Sequence, residues 1–371
     1  MDEWFQSKRE TKLSYRVPLP LLLLASIGAC AGERCSPGKP GATPESQEAQ
    51  APCGEAKGCQ GQGAGARIAA IELPAALAAI TSTPELSGLA WSPALSRYLV
   101  VSDDTGLKAE HTEHSPMLFT LAPSGVFDNE PIRIDGVPEL NDAESICAGP
   151  DGTFFLTASH SPDKHGRVPE SRRMLLHLGL SGYRLRVLGQ VDLLQGRDSS
   201  GKSIAEMAAG GAASGTVDIE ALAFEGDKLL IGLKAPLSAN GEASIIALPG
   251  AVAALHAGTL NPGAVSLWKK VRLCVSDATG HACEGISDMA LFKNGTLVLT
   301  ANSPKGMPTD GGGAIWVLKN AGSADAVPEL LHHFDGLLPE GVTVAADGQQ
   351  LVLVFDAHRG PPKWGTWPLP Q

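Results

Sequence analysis

The chain has 371 residues, of which 19% are charged and 43% hydrophobic, and its formal net charge at pH 7 is −11. Negative charge of this size repels both the phosphate backbone of nucleic acids and anionic lipid headgroups. The composition therefore argues against nucleic acid as a partner, and any attachment to a membrane has to come from something other than surface charge.

The first 29 residues have the three parts of a secretory signal. Basic residues precede an apolar run over 17–27, and two small residues separate this run from Cys30. That order is typical of exported proteins, and Ile-Gly-Ala-Cys resembles the lipobox of bacterial lipoproteins. The sequence predicts a signal peptide over residues 1–29 and a lipid on Cys30 as the only membrane contact, on the periplasmic or outer-membrane side. The alternative is an uncleaved anchor, for which the run is shorter than the roughly 20 residues that span a bilayer.

Residues 30–66 are rich in Gly, Pro, Ala and Gln and have almost no large apolar side chains, which predicts a flexible tether. Residues 67–371 then form the folded domain. Cysteines of an exported chain are interpreted as disulfides before metal ligands. Cys274 and Cys283 flank a short loop and are predicted to form a disulfide, whereas Cys147 lies among apolar neighbours and is predicted to be a small buried side chain.

One short pattern occurs five times in the folded domain: a small or acidic residue, an apolar run, a tight turn and a second apolar run. The five copies begin at Ser87, Glu144, Glu220, Ser287 and Glu340. Several strands per unit, repeated every 40 to 80 residues or so, are typical of a β-propeller.

We predict an all-β fold with a single β-propeller of five four-stranded blades, and the pattern leaves a sixth, degenerate blade open. The fifth unit reaches the end of the chain without an outer strand. The apolar segment 67–73 precedes the first unit and has no blade of its own. It is therefore predicted to supply the missing strand and close the ring.

Polar residues concentrate where the first strand of each unit begins and the second strand ends, and both positions lie on one face of a propeller. Carboxylate and amide oxygens are the ligands that Ca²⁺ and Mg²⁺ prefer. The predicted metal ligands are Glu144, Glu220, Glu340, Asn302 and Asp356. The alternative is that the glutamates accept hydrogen bonds from neighbouring blades and stabilise the ring.

Loops around the same mouth carry several basic residues, among them His114 and Arg172. A basic rim around an acidic centre is able to hold a phosphate ester against a metal ion. His160, Lys234 and His358 are predicted to orient the substrate or move protons. The predicted partner is a small anionic or ester substrate, or another envelope protein.

The segment from Gly196 to Ser203 fits the P-loop pattern and precedes a possible helix. A P-loop needs a parallel sheet of repeated strand and helix units, which the chain lacks. A P-loop nucleotide triphosphatase is therefore only a remote alternative, and no nucleotide or organic cofactor is expected.

The phrase Val217-Asp-Ile-Glu-Ala-Leu-Ala-Phe224, with the strand over 227–236 that follows it, resembles the hallmark of an uncharacterised family of exported bacterial domains. This family is similar to the esterase-like phytase propellers, and the resemblance covers residues 67–371. It implies a calcium-assisted phosphoesterase, and only Glu220 and Lys234 carry over from it.

Two functions of different class remain open from the sequence. The first is a hydrolase that uses a divalent metal to cleave phosphate or other esters at the channel mouth. The second is a non-catalytic lipoprotein that holds a ligand or partner in the cell envelope. Propellers serve both purposes, so the fold alone does not choose between them.

Overall fold

The computed structural model describes residues 66–107, 114–210, 216–277, 280–304, 312–356 and 360–369. The predicted signal peptide, Cys30, the tether up to residue 65, and His358 lie outside these residues. No helix among the described residues is both long and apolar enough to cross a membrane.

The described chain is built almost entirely of β-strands. In order, these are β1 (Arg67–Ala70), β2 (Glu85–Ser92), β3 (Arg97–Asp104), β4 (Met117–Leu121), β5 (Ile132–Asp135), β6 (Ala143–Ala148), β7 (Phe154–Ala158), β8 (Leu175–Leu180), β9 (Arg184–Val191), β10 (Asp218–Glu225), β11 (Lys228–Ala235), β12 (Glu242–Leu248), β13 (Ser266–Arg272), β14 (Cys274–Asp277), β15 (Gly280–Cys283), β16 (Gly285–Leu291), β17 (Leu297–Asn302), β18 (Gly313–Leu318), β19 (Glu329–Phe334), β20 (Leu338–Val344), β21 (Gln350–Asp356) and β22 (Lys363–Pro368). The α-helices of the same residues are α1 (Ala75–Ile80), α2 (Ile204–Ala209) and α3 (Ala251–Ala257).

Twenty of these strands form five four-stranded antiparallel blades. The blades are β2 to β5, β6 to β9, β10 to β13, β16 to β19, and β20 to β22 together with β1. The innermost strands β2, β6, β10, β16 and β20 pack side by side, and β20 packs against β2 to complete the circle. The fold is a five-bladed β-propeller, as the sequence pattern predicts.

The N-terminal strand closes the ring, which confirms the predicted closure. Arg67 pairs with Thr366 and Ala70 pairs with Lys363, so β1 is the outer strand of the fifth blade. The first and last strands of the propeller therefore share one sheet.

The innermost strands are buried on both faces, and they are rich in Gly and Ala because their backbones approach each other closely. A Cβ atom on Gly88 would lie 2.8 Å from the carbonyl oxygen of Glu144 in the next blade. A Cβ atom on Gly285 would overlap the carbonyl oxygen of Lys234. Larger apolar side chains fill the spaces between blades, as where Phe155 packs with Leu222 and Ile231.

One carboxyl group ties the inner strands together across the centre of the ring. Asp288 of β16 is 1% exposed. Its Oδ1 accepts a hydrogen bond from the hydroxyl of Ser145 at 2.8 Å, and its Oδ2 accepts the backbone N–H of Val342 at 2.9 Å. The Ser145 hydroxyl in turn accepts the N–H of Leu222 at 3.0 Å. Asp288 and Ser145 together thus link four of the five blades.

Blades 1 and 2 are joined a second time at the rim of the propeller. Their outer strands β5 and β9 pair in parallel, with Arg133 opposite Arg184 and Asp135 opposite Arg186. This pairing fuses the two blades into an eight-stranded sheet.

A short hairpin of β14 and β15 connects blades 3 and 4. Cys274 and Cys283 form a disulfide bond at its base. Cys147 is a free, buried thiol in blade 2, and burial raises its pKa well above that of an ordinary thiol.

The P-loop-like segment does not have the geometry that binds nucleotide phosphates. It follows an antiparallel strand and leads into the six-residue helix α2. The carboxylate of Asp198 accepts the backbone N–H groups of Ser200 at 2.8 Å and Lys202 at 2.9 Å. Since these N–H groups already have an acceptor within the loop, the structure gives no support to the P-loop alternative.

Candidate functional site

All five inner strands have an irregularity at the same place. The register of each strand against its neighbour shifts by one residue, which is a β-bulge. The bulged residues are Ser87, Glu144, Glu220, Ser287 and Glu340, the residues with which the five sequence copies begin. A bulge redirects a side chain out of the normal alternation, and three of the five redirected side chains are glutamates.

The bulges lie at the end of the propeller that holds a cavity of about 800 Å³. Among the described residues its lining contains ten acidic side chains against four Lys or Arg. The acidic residues are Glu85, Asp103, Asp104, Asp142, Glu144, Asp163, Asp218, Glu220, Glu340 and Asp356, and the basic ones are Lys164, Arg167, Arg172 and Lys234. Such an excess of like charge in a concave site is costly unless protons or a cation reduce it.

Three of these carboxyl groups form a compact cluster, here called the acidic trio: Asp103, Asp142 and Glu144. One oxygen from each lies within 4.8 Å of the others. A Ca²⁺ ion takes oxygen ligands at about 2.3 to 2.6 Å, so oxygens at this separation are able to share one ion. The donor set is all oxygen, which suits Ca²⁺ or Mg²⁺ better than a soft metal.

Asp142 is the most firmly held member of the trio. Its backbone lies in the left-handed region, with φ of 60°, a conformation that Asp adopts more readily than most residues. Its Oδ2 forms an ion pair with Arg172 Nη1 at 2.8 Å and accepts hydrogen bonds from the Ser161 hydroxyl at 3.3 Å and from the Ser159 hydroxyl. All three contacts end on Oδ2, so Oδ1 is the oxygen that remains for a cation in the described structure.

The other two members of the trio favour the protonated form when no cation is near. Burial, and then the carboxylate of Glu85, raise the pKa of Asp103 well above its usual range. Burial, and then the carboxylates of Asp142 and Glu220, do the same to the pKa of Glu144. A cation in the trio would favour the deprotonated carboxylates and oppose this upward shift of both pKa values.

A second group of polar side chains in the same cavity is centred on Lys234. The ammonium group lies 2.7 Å from Glu220 Oε2 and 3.7 Å from Glu340 Oε1, and Asn302 Nδ2 donates to the same Glu340 oxygen at 2.8 Å. Burial opposes the charge on Lys234, but Glu220 and Glu340 outweigh it and raise the pKa of Lys234 well above its usual range. Lys234 is therefore a charged link between blades 3 and 5.

The five predicted metal ligands thus divide between two places. Glu144 belongs to the acidic trio, whereas Glu220, Glu340 and Asn302 belong to the Lys234 network. Asp356 lines the cavity as well. The structure brings all five to one mouth, and their role as metal ligands stays a prediction.

His160 is not among the residues that line the cavity. Its ring is buried, with Nδ1 2.8 Å from the carbonyl oxygen of Ala158 and Nε2 accepting the N–H of Leu193 at 3.3 Å. Burial lowers its pKa to about 4, so the ring is neutral at pH 7. These contacts give His160 a positioning role, and no contact with the cavity supports the predicted role in catalysis.

Asp103 and Asp142 are absent from the metal ligands predicted from sequence. A signal for Asp142 exists, because three bulged residues are preceded two positions earlier by an acidic residue: Ser87 by Glu85, Glu144 by Asp142 and Glu220 by Asp218. Asp103 lies near the end of β3 at a register shift, since Glu85 pairs with Asp104 and Leu86 pairs with Ser102.

No protein family model matches the chain, and a search of curated proteins also found no match. Among solved structures, an endo-arabinase from Bacteroides thetaiotaomicron is similar, with 12% identity and a TM-score of 0.46 over 82% of this chain and 98% of that one. A glucose dehydrogenase shows 14% identity and a TM-score of 0.44 over 82% of this chain and 100% of that one. A gluconolactonase from Xanthomonas campestris shows 15% identity and a TM-score of 0.36 over 81% and 94%. At these identities and TM-scores, none of the three indicates the substrate or reaction of this chain.

Proposed function

We propose that the chain is an exported, lipid-anchored hydrolase that uses a divalent cation, Ca²⁺ or Mg²⁺, to cleave an ester at the mouth of its central channel. The observation that carries the proposal is the acidic trio of Asp103, Asp142 and Glu144, at the wall of a concave, strongly acidic cavity. The proposal places the cation at the trio, which includes Glu144 of the predicted ligands; the metal role of Glu220, Glu340, Asn302 and Asp356 stays a prediction.

A divalent cation held by Asp103, Asp142 and Glu144 would polarise the ester oxygen and would make water a better nucleophile at neutral pH. The protein residues supply position. Asp142 is fixed by Arg172, Ser159 and Ser161, so its free oxygen has little freedom to move. His114 lines the same cavity, with Nε2 3.5 Å from the amide nitrogen of Asn141, and its imidazole is a suitable group to carry a proton to the leaving group.

The experiment is thermal unfolding of the full-length protein with excess Ca²⁺, with excess Mg²⁺ and with chelator. A cation at 100 times its dissociation constant adds about 2.7 kcal/mol to the free energy of unfolding if it binds only the folded state. We expect a clear rise in the unfolding temperature, lost in Asp103→Asn and in Glu144→Gln. Glu220→Gln is the matched control, since Glu220 lies at the same mouth but is neutralised by Lys234, and we expect it to keep most of the shift.

Hydrolysis of p-nitrophenyl phosphate and p-nitrophenyl acetate should follow cation binding, with loss of activity in chelator and in Glu144→Gln. A protein whose unfolding temperature ignores both cations would contradict the metal site. Cation binding without hydrolysis of either ester would instead favour the second candidate, a non-catalytic lipoprotein that binds a ligand or an envelope partner. The observation behind that candidate is the Lys234 network. Lys234 pairs with Glu220 and Glu340, two of the three bulged glutamates, so these carboxylates have a structural role that needs no catalytic metal.

A further inference from the structure

We infer that Arg172 binds an anionic group of the substrate, and that it does so only once a cation occupies the acidic trio. This inference rests on the proposed function and narrows it. The substrate class becomes a small ester that carries an oxyanion, a phosphate or a carboxylate, close to the bond that is cleaved.

Arg172 has a fixed backbone and an incompletely used side chain. It ends a short 3₁₀ turn (Glu170–Arg172), and its carbonyl oxygen accepts the N–H of His160 at 2.8 Å. The side chain lines the cavity and is 17% exposed. Its ion pair with Asp142 and its hydrogen bond to the carbonyl of Pro162 both use Nη1. Its Nε is buried and has no hydrogen-bond partner in the part of the chain that the structure describes.

A buried donor without an acceptor is unfavourable, and a small rotation of the guanidinium toward an oxyanion would remove that cost. The planar guanidinium offers donors in a fixed fork that matches carboxylate and phosphate oxygens. Arg172 therefore has the donors, and in Nε an unused one, that an anion-binding residue requires.

The other described cations of the lining are less suited to this task. Lys234 is held by Glu220 and Glu340. Arg167 uses Nε and Nη2 on the carboxylate of Asp163, at 3.2 and 3.0 Å, and its side chain is 74% exposed. Lys164 is an exposed single charge, where water weakens ionic interactions.

The charge of the cavity sets the order of binding. With ten acidic residues in the described lining, an anion that enters alone meets repulsion. A divalent cation in the trio, directly beside the Asp142 and Arg172 pair, replaces that repulsion with attraction. Binding of the two ligands is then coupled, and coupling is reciprocal: the cation must raise the affinity for the anion by the same factor as the anion raises the affinity for the cation.

The test is calorimetric titration of the full-length protein with Ca²⁺, with and without inorganic phosphate or acetate, at phosphate concentrations below the solubility limit of the calcium salt. We expect at least one anion to tighten Ca²⁺ binding and to bind poorly in chelator. Coupling with phosphate assigns a phosphate ester, and coupling with acetate alone assigns a carboxylate-bearing ester. In Arg172→Met the coupling factor should fall roughly 10- to 100-fold, the usual value of a hydrogen bond to a charged group.

Arg172→Lys is the control for a folding defect, because lysine keeps a positive charge beside Asp142 but lacks the planar set of N–H donors of the guanidinium group. It should retain Ca²⁺ binding and lose most of the coupling. Arg173→Met is the matched control, since this neighbour pairs with Asp192 at 3.2 Å and does not line the cavity; it should keep the wild-type coupling. Ca²⁺ binding that neither anion affects, or coupling unchanged in Arg172→Met, would overturn this inference and leave the metal site standing. Absence of binding of both Ca²⁺ and Mg²⁺, titrated in the same way, would overturn both.

Discussion

Asp288 shows how one buried side chain controls the response of the whole ring to pH. Burial raises its pKa well above the usual range, although hydrogen bonds from Val342 and Ser145 act in the opposite direction. The folded protein therefore holds the Asp288 proton at pH values where the unfolded chain has released it. Stability from this group is complete below the unfolded pKa of about 3.9 and decreases as the pH rises toward the folded pKa.

Asp288→Asn should remove that decrease. We expect the variant to gain stability relative to the wild type between pH 4 and pH 7, by about 1.4 kcal/mol for each unit of pKa difference between the two states. Urea unfolding at several pH values measures it. A difference between variant and wild type that does not change with pH would contradict the prediction.

Asp198→Asn is a control of opposite sign. Hydrogen bonds, first from the Ser200 side chain and then from the backbone of Lys202, lower the pKa of Asp198. Its contribution to stability is present above the unfolded pKa and is lost as the pH falls through the folded value. The difference in unfolding free energy between Asp198→Asn and the wild type should therefore shrink as the pH falls below about 4. The pH dependence has opposite sign in the two variants: as the pH rises, the wild type gains stability relative to Asp198→Asn and loses stability relative to Asp288→Asn.

At the scale of strands and networks, Lys234 links elements that are not adjacent in the ring. It belongs to β11 of blade 3, and it reaches Glu340 at the bulge of β20 in blade 5. The loss of one partner of a buried ion pair costs about 3 to 5 kcal/mol, because the opposite charges remain buried. Lys234→Met should destabilise the protein toward the lower end of that range, since Glu220 and Glu340 are free to take up protons.

The measurement is a double-mutant cycle in urea with Lys234→Met, Glu220→Gln and the double variant. The double variant should be more stable than Lys234→Met alone, and the cost of Lys234→Met should be smaller at pH 5 than at pH 8. Equal costs at both pH values would show that the two carboxylates do not compensate for the missing ammonium group.

The strands could be predicted because each blade repeats one local pattern, and local patterns are what a sequence displays. The site was predicted less completely, because its contacts depend on loop conformation and on the register of paired strands. The ion pair of Asp142 with Arg172 depends on how the loop between β7 and β8 folds back within blade 2, and no spacing in the chain encodes it. Likewise, the charge of Glu220 and Glu340 suggested metal ligands, while the pairing of β10 with β11 brings Lys234 to Glu220 and the ring brings it near Glu340. The register shift that turns these glutamates into the channel is also a property of paired strands, not of one strand.

For the whole molecule, the closure of the ring by β1 is the interaction that joins the two ends of the domain. Gly365 of β22 lies against this strand, and a Cβ atom there would come within 2.6 Å of the Arg67 carbonyl oxygen. Gly365→Ala should therefore displace β1 and destabilise the protein by about 1 to 3 kcal/mol, the usual cost of overpacking. Gly322→Ala is the matched control, since a Cβ atom there has no atom within 4 Å among the described residues.

Chemical denaturation gives the loss of stability, and hydrogen exchange locates it. Amide protection should fall in β22 and β1 of Gly365→Ala, while blade 3 keeps its protection. A loss spread evenly over all blades would mean that closure and the rest of the ring form a single cooperative unit.

The pairing of β1 with β22 also has a consequence for biosynthesis. Ribosomes deliver β1 first among the strands of the propeller and β22 last, so almost the whole domain must be translated before the two can meet. Throughout that interval the nascent chain carries an open ring with unpaired edges, the kind of intermediate that associates with other chains. β1 has only four residues, and most of them are exposed even in the finished sheet. Such a short strand offers little surface for aggregation before β22 is synthesised.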